Sequence, residues 1–148
     1  MSLETKIMES LKEAMKAKDQ AALRGIRAIK SAILLFKTDG SGNVLDEAAE
    51  IKLVQKLVKQ RQDSLAIYKE QNREDLAKVE EEEIEVLMKF LPEQLSEADI
   101  EKIVGDIIAE SGATSIKDMG KVMGLANAKL AGKADGKTIS MIVKKLLA

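Results

Sequence analysis

The chain has no cysteine, no histidine and no tryptophan. Without cysteine no disulfide staples the fold. Without histidine or cysteine the His-based triads, the thiolate nucleophiles and the usual zinc and haem sites are all excluded. Any chemistry would have to rest on carboxylates, Lys, Ser, Thr and one tyrosine, so no catalytic residue, metal ligand or cofactor is assigned. The aromatics are only Phe36, Tyr68 and Phe90, too few for the stacking platforms that hold single-stranded bases. No apolar run reaches the ~18 residues of a membrane-spanning helix. The opening residues 1–6 show neither the basic nor the apolar region of a signal peptide. The expected location is the cytoplasm, with no membrane partner.

What is present is an ordinary globular balance, 45% hydrophobic and 33% charged over 148 residues. A chain of this size buries roughly 68–70% of its unfolded surface, enough for a real core. Net charge is −1, but the charges are unevenly placed. All four arginines (Arg24, Arg27, Arg61, Arg73) lie in the first half. Between Lys16 and Lys37 six cations face a single acid, Asp19, whereas residues 80–85 hold five glutamates. Such separation can create a local positive surface on a neutral protein.

The hydrophobic period is helical nearly throughout. Leu3, Ile7, Leu11, Ala14 and Met15 share one face; Leu23, Ile26, Ile29, Ile33 and Phe36 share another after a break near Asp19. Thr38 to Asn43 reads as a loop. Asp46 then caps a long helix to about Gln71, with Ile51, Val54, Leu57, Val58, Leu65 and Tyr68 inward, and Asn72 breaks it. A fourth helix turns Leu76, Val79, Val86, Leu87 and Phe90 inward. Pro92, the only proline, marks a boundary because the residue before a proline leaves helical geometry. Beyond it, Ser96 and Ser115 each precede an acid by three residues, near-capping boxes that open helices. Gly112 stops the first of these. Met119, Val122, Met123 and Met141 are expected in a small second core, with Ile139, Ile142, Val143, Leu146 and Leu147 on a last helix capped by Asp135. The expectation is an all-α protein: an N-terminal bundle of about four long antiparallel helices over residues 1–91, then a three-helix C-terminal domain over 92–148.

Four features bear on function. Gly136-Lys137-Thr138 invites a phosphate-loop reading, but the motif needs a glycine five positions upstream, where Ala131 stands, and no strand precedes it. A helix start capped by Asp135 is the simpler reading. Arg61 falls among the apolar positions of the third helix, and Glu83 among those of the fourth. An unpartnered buried charge costs several kcal/mol, so the two are expected to pair between antiparallel helices. Arg24, Arg27 and Ser31 share one side of the second helix, with Lys30 at its edge; the three cations are candidates for phosphate contact, against a plain solvated face. The run Glu80–Glu83 does not converge on a metal, because consecutive helical residues point in different directions.

Leu91-Pro92-Glu93-Gln94-Leu95-Ser96 resembles the joint of the YqeY-like family. Lys117-Asp118-Met119-Gly120-Lys121-Val122-Met123-Gly124 and Gly132-Lys133-Ala134-Asp135-Gly136-Lys137 are similar to its two C-terminal motifs. Arg24-x-x-Arg27, Lys59-Gln60-Arg61-x-x-Ser64, Tyr68 and Arg73-x-Asp75-Leu76 agree with it in the first part; the Gly40-Ser41-Gly42 loop has no counterpart. The resemblance implies kinship with the C-terminal tail of the B subunit of tRNA-dependent amidotransferase, a carbon–nitrogen ligase using glutamine as amide donor. In those larger enzymes the module contacts tRNA and the chemistry is done elsewhere. The resemblance therefore implies a noncatalytic tRNA-contacting module, with Arg24, Arg27, Lys30, Lys121, Lys133 and Lys137 as candidate contacts. The rival is a helical adaptor for an amidotransferase subunit or an aminoacyl-tRNA synthetase. An exposed apolar patch away from the arginines would favour that rival.

Overall fold

Most helices start where a short polar side chain can satisfy the free N–H groups of the first turn. In the computed structural model, which describes residues 2–148, Ser2 accepts from the Thr5 N–H, Asp19 from Ala22, Asp46 from Ala49, Ser96 from Asp99 and Asp135 from Thr138, over 2.6–3.2 Å. The elements are α1 (Leu3–Ala17), α2 (Gln20–Thr38), α3 (Glu47–Glu70), α4 (Glu74–Met88), α5 (Glu97–Ser111), a 3₁₀ turn (Ile116–Asp118), α6 (Met119–Lys129) and α7 (Gly136–Leu147). The protein is all-helical, with seven α-helices and no strand among the described residues. Ser115 caps the 3₁₀ turn rather than α6 itself, and α6 has no side-chain cap. Helix ends are equally local in origin: Lys18, Asn72 and Gly112 take left-handed backbone angles at the ends of α1, α3 and α5.

The chain forms two compact units, residues 1–91 and 92–148. In the first, α4 packs on α3 and α2, and α1 packs on α2. Its core is Leu3, Ile7, Leu23, Ile26, Ile29, Ile33, Val54, Val58, Val86 and Leu87. Burying a side chain of this kind contributes about 1.5–3 kcal/mol. Gly25 sits where α2 meets α4. A Cβ there would lie 2.6 Å from Val86 Cγ1 and 2.9 Å from Val86 Cβ, so only a residue without a side chain permits this approach.

The second unit has its own core of Ile100, Val104, Ile107, Val122, Ala126, Leu130, Ile139, Ile142, Val143 and Leu147. The Leu95 N–H donates to the Lys133 carbonyl at 2.9 Å and Gln94 Nε2 to the Gly132 carbonyl at 2.6 Å, tying the segment before α5 to the turn before α7.

Four expected core residues are outside. Val79 is exposed because the inward stripe of α4 runs through Ala77, Glu80, Ile84 and Leu87, leaving Val79 about 200° from Ala77. Met141 is 63% exposed, opposite Ile139, Ile142 and Val143; Met119 and Met123 do pack on the second core. Leu146 and Met15 lie at the exposed edges of α7 and α1.

Candidate functional site

The close approach at Gly25 sets the electrostatics of the first unit. Arg24, its neighbour on α2, is carried to the acidic segment of α4: Nη2 lies 2.9 Å from Glu82 Oε2, and Nε lies 3.6 Å from Glu83 Oε1. The other oxygen of Glu83 faces α3, with Oε2 3.3 Å from Arg61 Nε. The side chains of Arg61 and Glu83 are only 18% and 15% exposed. Arg61 Nη1 also donates to the Leu57 carbonyl at 3.1 Å. One carboxylate thus serves guanidinium groups from two other helices. Both Nε groups are occluded and lack an aligned hydrogen bond, so these two contacts are charge attraction at short range rather than geometric hydrogen bonds. Glu80 lies one turn away with Oε2 occluded and unpartnered. Desolvation pushes its carboxyl above the ordinary glutamate range; the Glu83 charge adds to the rise and the Arg61 charge opposes it.

Arg24, a candidate phosphate contact by sequence, is engaged within the protein. Its guanidinium is committed to Glu82 and Glu83, and an incoming phosphate would have to displace them. Arg27 and Lys30, further along the same helix, are exposed and take part in no ion pair among the described residues.

In the second unit Lys121 Nζ donates to the Ser111 carbonyl at 3.3 Å, at the C-terminal end of α5 where carbonyls lack helical partners. Lys133 and Lys137 are exposed on either side of Asp135. Asp135 Oδ1 accepts from the Thr138 N–H at 2.6 Å. The start of α7 is thus already occupied by a carboxylate, which opposes a phosphate on the same N–H groups.

A further feature lies along α1 and α2. A groove of about 400 Å³ is floored by Ile7, Leu11, Ile26 and Ile33. Met8 and Leu34 stand at its mouth, 60% and 64% exposed. Lys30, Lys37 and Glu4 edge it, and Glu4 is paired with Lys37. The signal in the sequence was the run Ile33-Leu34-Leu35-Phe36: four consecutive apolar residues circle a helix, so they cannot all face one core.

No group of three or more carboxylates among the described residues is placed to hold a metal ion. No helix among them is long and apolar enough to cross a membrane.

The family model described as Yqey-like protein matches residues 4–147. The chain belongs to the YqeY-like family. This YqeY-like chain is similar to the altered inheritance of mitochondria protein 41, mitochondrial, of Lachancea thermotolerans, with 38% identity over 106 residues, covering 70% of the chain and 57% of that protein. It is 32% identical over 120 residues to the protein of the same name from Vanderwaltozyma polyspora, covering 76% and 64%. The Pyrenophora tritici-repentis protein matches along 96% of the chain and 79% of its own length at 27% identity. The YqeY-like chain thus spans less than two thirds of the first two relatives. Their name places those relatives with mitochondria.

Proposed function

We propose that this YqeY-like chain is a noncatalytic accessory module linked to tRNA-dependent amide transfer, and that it contacts tRNA. The resemblance of YqeY-like proteins to the amidotransferase tail supports the reading, as does a composition without His or Cys. The observation that carries it is the pair Arg27 and Lys30: two exposed cations one helical turn apart, with no carboxylate partner among the described residues. Duplex RNA is bound largely through phosphates and shape, for which cations on a rigid helix suffice without aromatics. Lys133 and Lys137 add two exposed cations on the second unit. The test is retention of folded tRNA by the wild type and by Arg27→Glu/Lys30→Glu. The double variant is expected to lose most of the affinity; equal retention removes the reading.

A second reading draws on the groove along α1 and α2, an exposed apolar surface that lies beside Lys30 and Arg27 rather than away from the arginines: a helical adaptor that docks another protein, such as an amidotransferase subunit or an aminoacyl-tRNA synthetase. It predicts copurification with a protein that survives nuclease treatment, where the tRNA reading predicts loss of partners with the RNA.

A further inference from the structure

We propose that the α1–α2 groove receives an acidic amphipathic helix from a partner protein. The proposal rests on the adaptor reading and adds the chemistry of the occupant. Met8 on α1 and Leu34 on α2 both line this groove with its apolar floor and stand more than half exposed. An exposed large apolar side chain is common singly, but two flanking a continuous apolar trough make a docking surface. Met15 follows Met8 by seven residues on α1, so the apolar stripe continues for two turns. A stripe of two turns spans about 10 Å, the footprint of a helix presenting apolar side chains at i, i+3 or i+4, and i+7.

The charges at the edge decide which helix fits. Lys30 stands on the α2 side, in no ion pair among the described residues, and Arg27 follows one turn back on the same helix. Lys12 is exposed one turn beyond Met8 on α1. The one carboxylate on the edge, Glu4, is already held by Lys37. An occupant flanked by Asp and Glu meets uncompensated cations there. A basic helix meets like charge, which costs affinity and slows association. Methionine at the mouth suits a surface that adapts to varied apolar side chains.

The probe is an 18-residue synthetic helix with leucines at that i, i+3 or i+4, i+7 spacing and glutamates flanking them. Its control carries lysines in place of the glutamates. Binding to the full chain is read by fluorescence anisotropy and by methionine-methyl NMR. The acidic probe should shift the Met8 methyl signal and bind at least about tenfold tighter than the basic one, a difference of ~1.4 kcal/mol. Leu34→Glu, at a position exposed enough to leave the fold intact, should weaken it tenfold or more. Lys30→Glu should narrow the preference between the two probes. Equal binding of both probes, no binding of either, or methyl shifts away from Met8 overturns the proposal.

A photoreactive phenylalanine replacing Leu34, and separately Leu125 on α6, distinguishes this failure from failure of the adaptor reading. Crosslinks in cells from position 34 to an acidic helical segment of another protein support the groove. Protein crosslinks from position 125 alone overturn the groove and leave the adaptor reading standing. Crosslinks to no protein at either position remove both. Crosslinks from position 34 to a second copy or to RNA overturn the assigned occupant.

Discussion

At the scale of single residues, Glu83 carries more than its share, because one side chain answers charges from α2 and α3 together. Removing one member of a buried pair leaves an uncompensated charge, at about 3–5 kcal/mol when fully buried, while exposed pairs are worth about 0–1. Side chains 15–18% exposed belong between these limits, so Glu83→Ala is expected to cost about 1–3 kcal/mol in urea unfolding. Arg24→Ala should cost less, being 38% exposed and leaving Arg61 still paired. A double-mutant cycle on Arg61 and Glu83 isolates their coupling; a coupling of zero would mean that their proximity has no energetic content. Glu80 behaves in the opposite sense. Its folded carboxyl lies above the ordinary value of 4.5, so between that value and its raised one the native state holds the proton that the unfolded chain releases. Stability therefore falls as pH rises across that window, and the penalty is fully present above it. Glu80→Gln should raise Tm at pH 7, with the gain shrinking to nothing at about pH 4 and below. A constant difference at all pH values would assign the effect to packing instead.

At the scale of elements, the contact of α2 with α4 depends on Gly25. In an isolated helix, alanine is better than glycine by about 1 kcal/mol. Here the added methyl would fall within 3 Å of both Val86 Cβ and Cγ1. Val86 is β-branched and its Cβ is fixed by the backbone, so it cannot swing aside. Gly25→Ala is expected to destabilise by about 1–3 kcal/mol, and Val86→Ala in the same chain should recover part of it, both read from thermal or urea unfolding. The elements themselves are legible in the sequence where their causes are local. Asp46, Ser96 and Asp135 cap α3, α5 and α7 through contacts three residues away, and Asn72 ends α3 through its own backbone angle. The features that are not legible depend on partners distant in sequence. Periodicity alone turns Val79 inward because α4 has too few apolar residues to fix its own rotation. The true stripe passes through Glu83, which becomes acceptable inside because arginines arrive from two other helices, and through Glu80, whose occluded oxygen has no hydrogen-bond partner. The commitment of Arg24 is hidden for the same reason: its hydrogen-bonded acid, Glu82, is 58 residues away, and the one local hint is a glycine in mid-helix beside it.

At the scale of the whole molecule, near-neutral net charge makes any polyanion contact a matter of a few sites rather than of the overall field. Four exposed candidate cations, Arg27, Lys30, Lys133 and Lys137, have neither an ion pair nor a side-chain hydrogen bond among the described residues and would each neutralise about one phosphate. Each neutralised phosphate on a duplex contributes about −0.9 to the slope of log affinity against log salt. Full engagement of all four gives a slope of about −3 to −4, an affinity that is appreciable at low salt and falls steeply toward physiological salt. Arg27→Glu/Lys30→Glu should reduce the slope by about 2 and weaken binding at every salt concentration. Arg24→Gln should leave the slope unchanged, since that guanidinium already has its anions within the protein. The comparison is more telling than the affinity itself, because a slope counts phosphates whereas an affinity mixes charge with fold stability. A wild-type slope near zero would mean that the exposed cations do not meet a nucleic acid backbone. The positive margin of the α1–α2 groove would then be the better account of why Lys30 stands uncompensated.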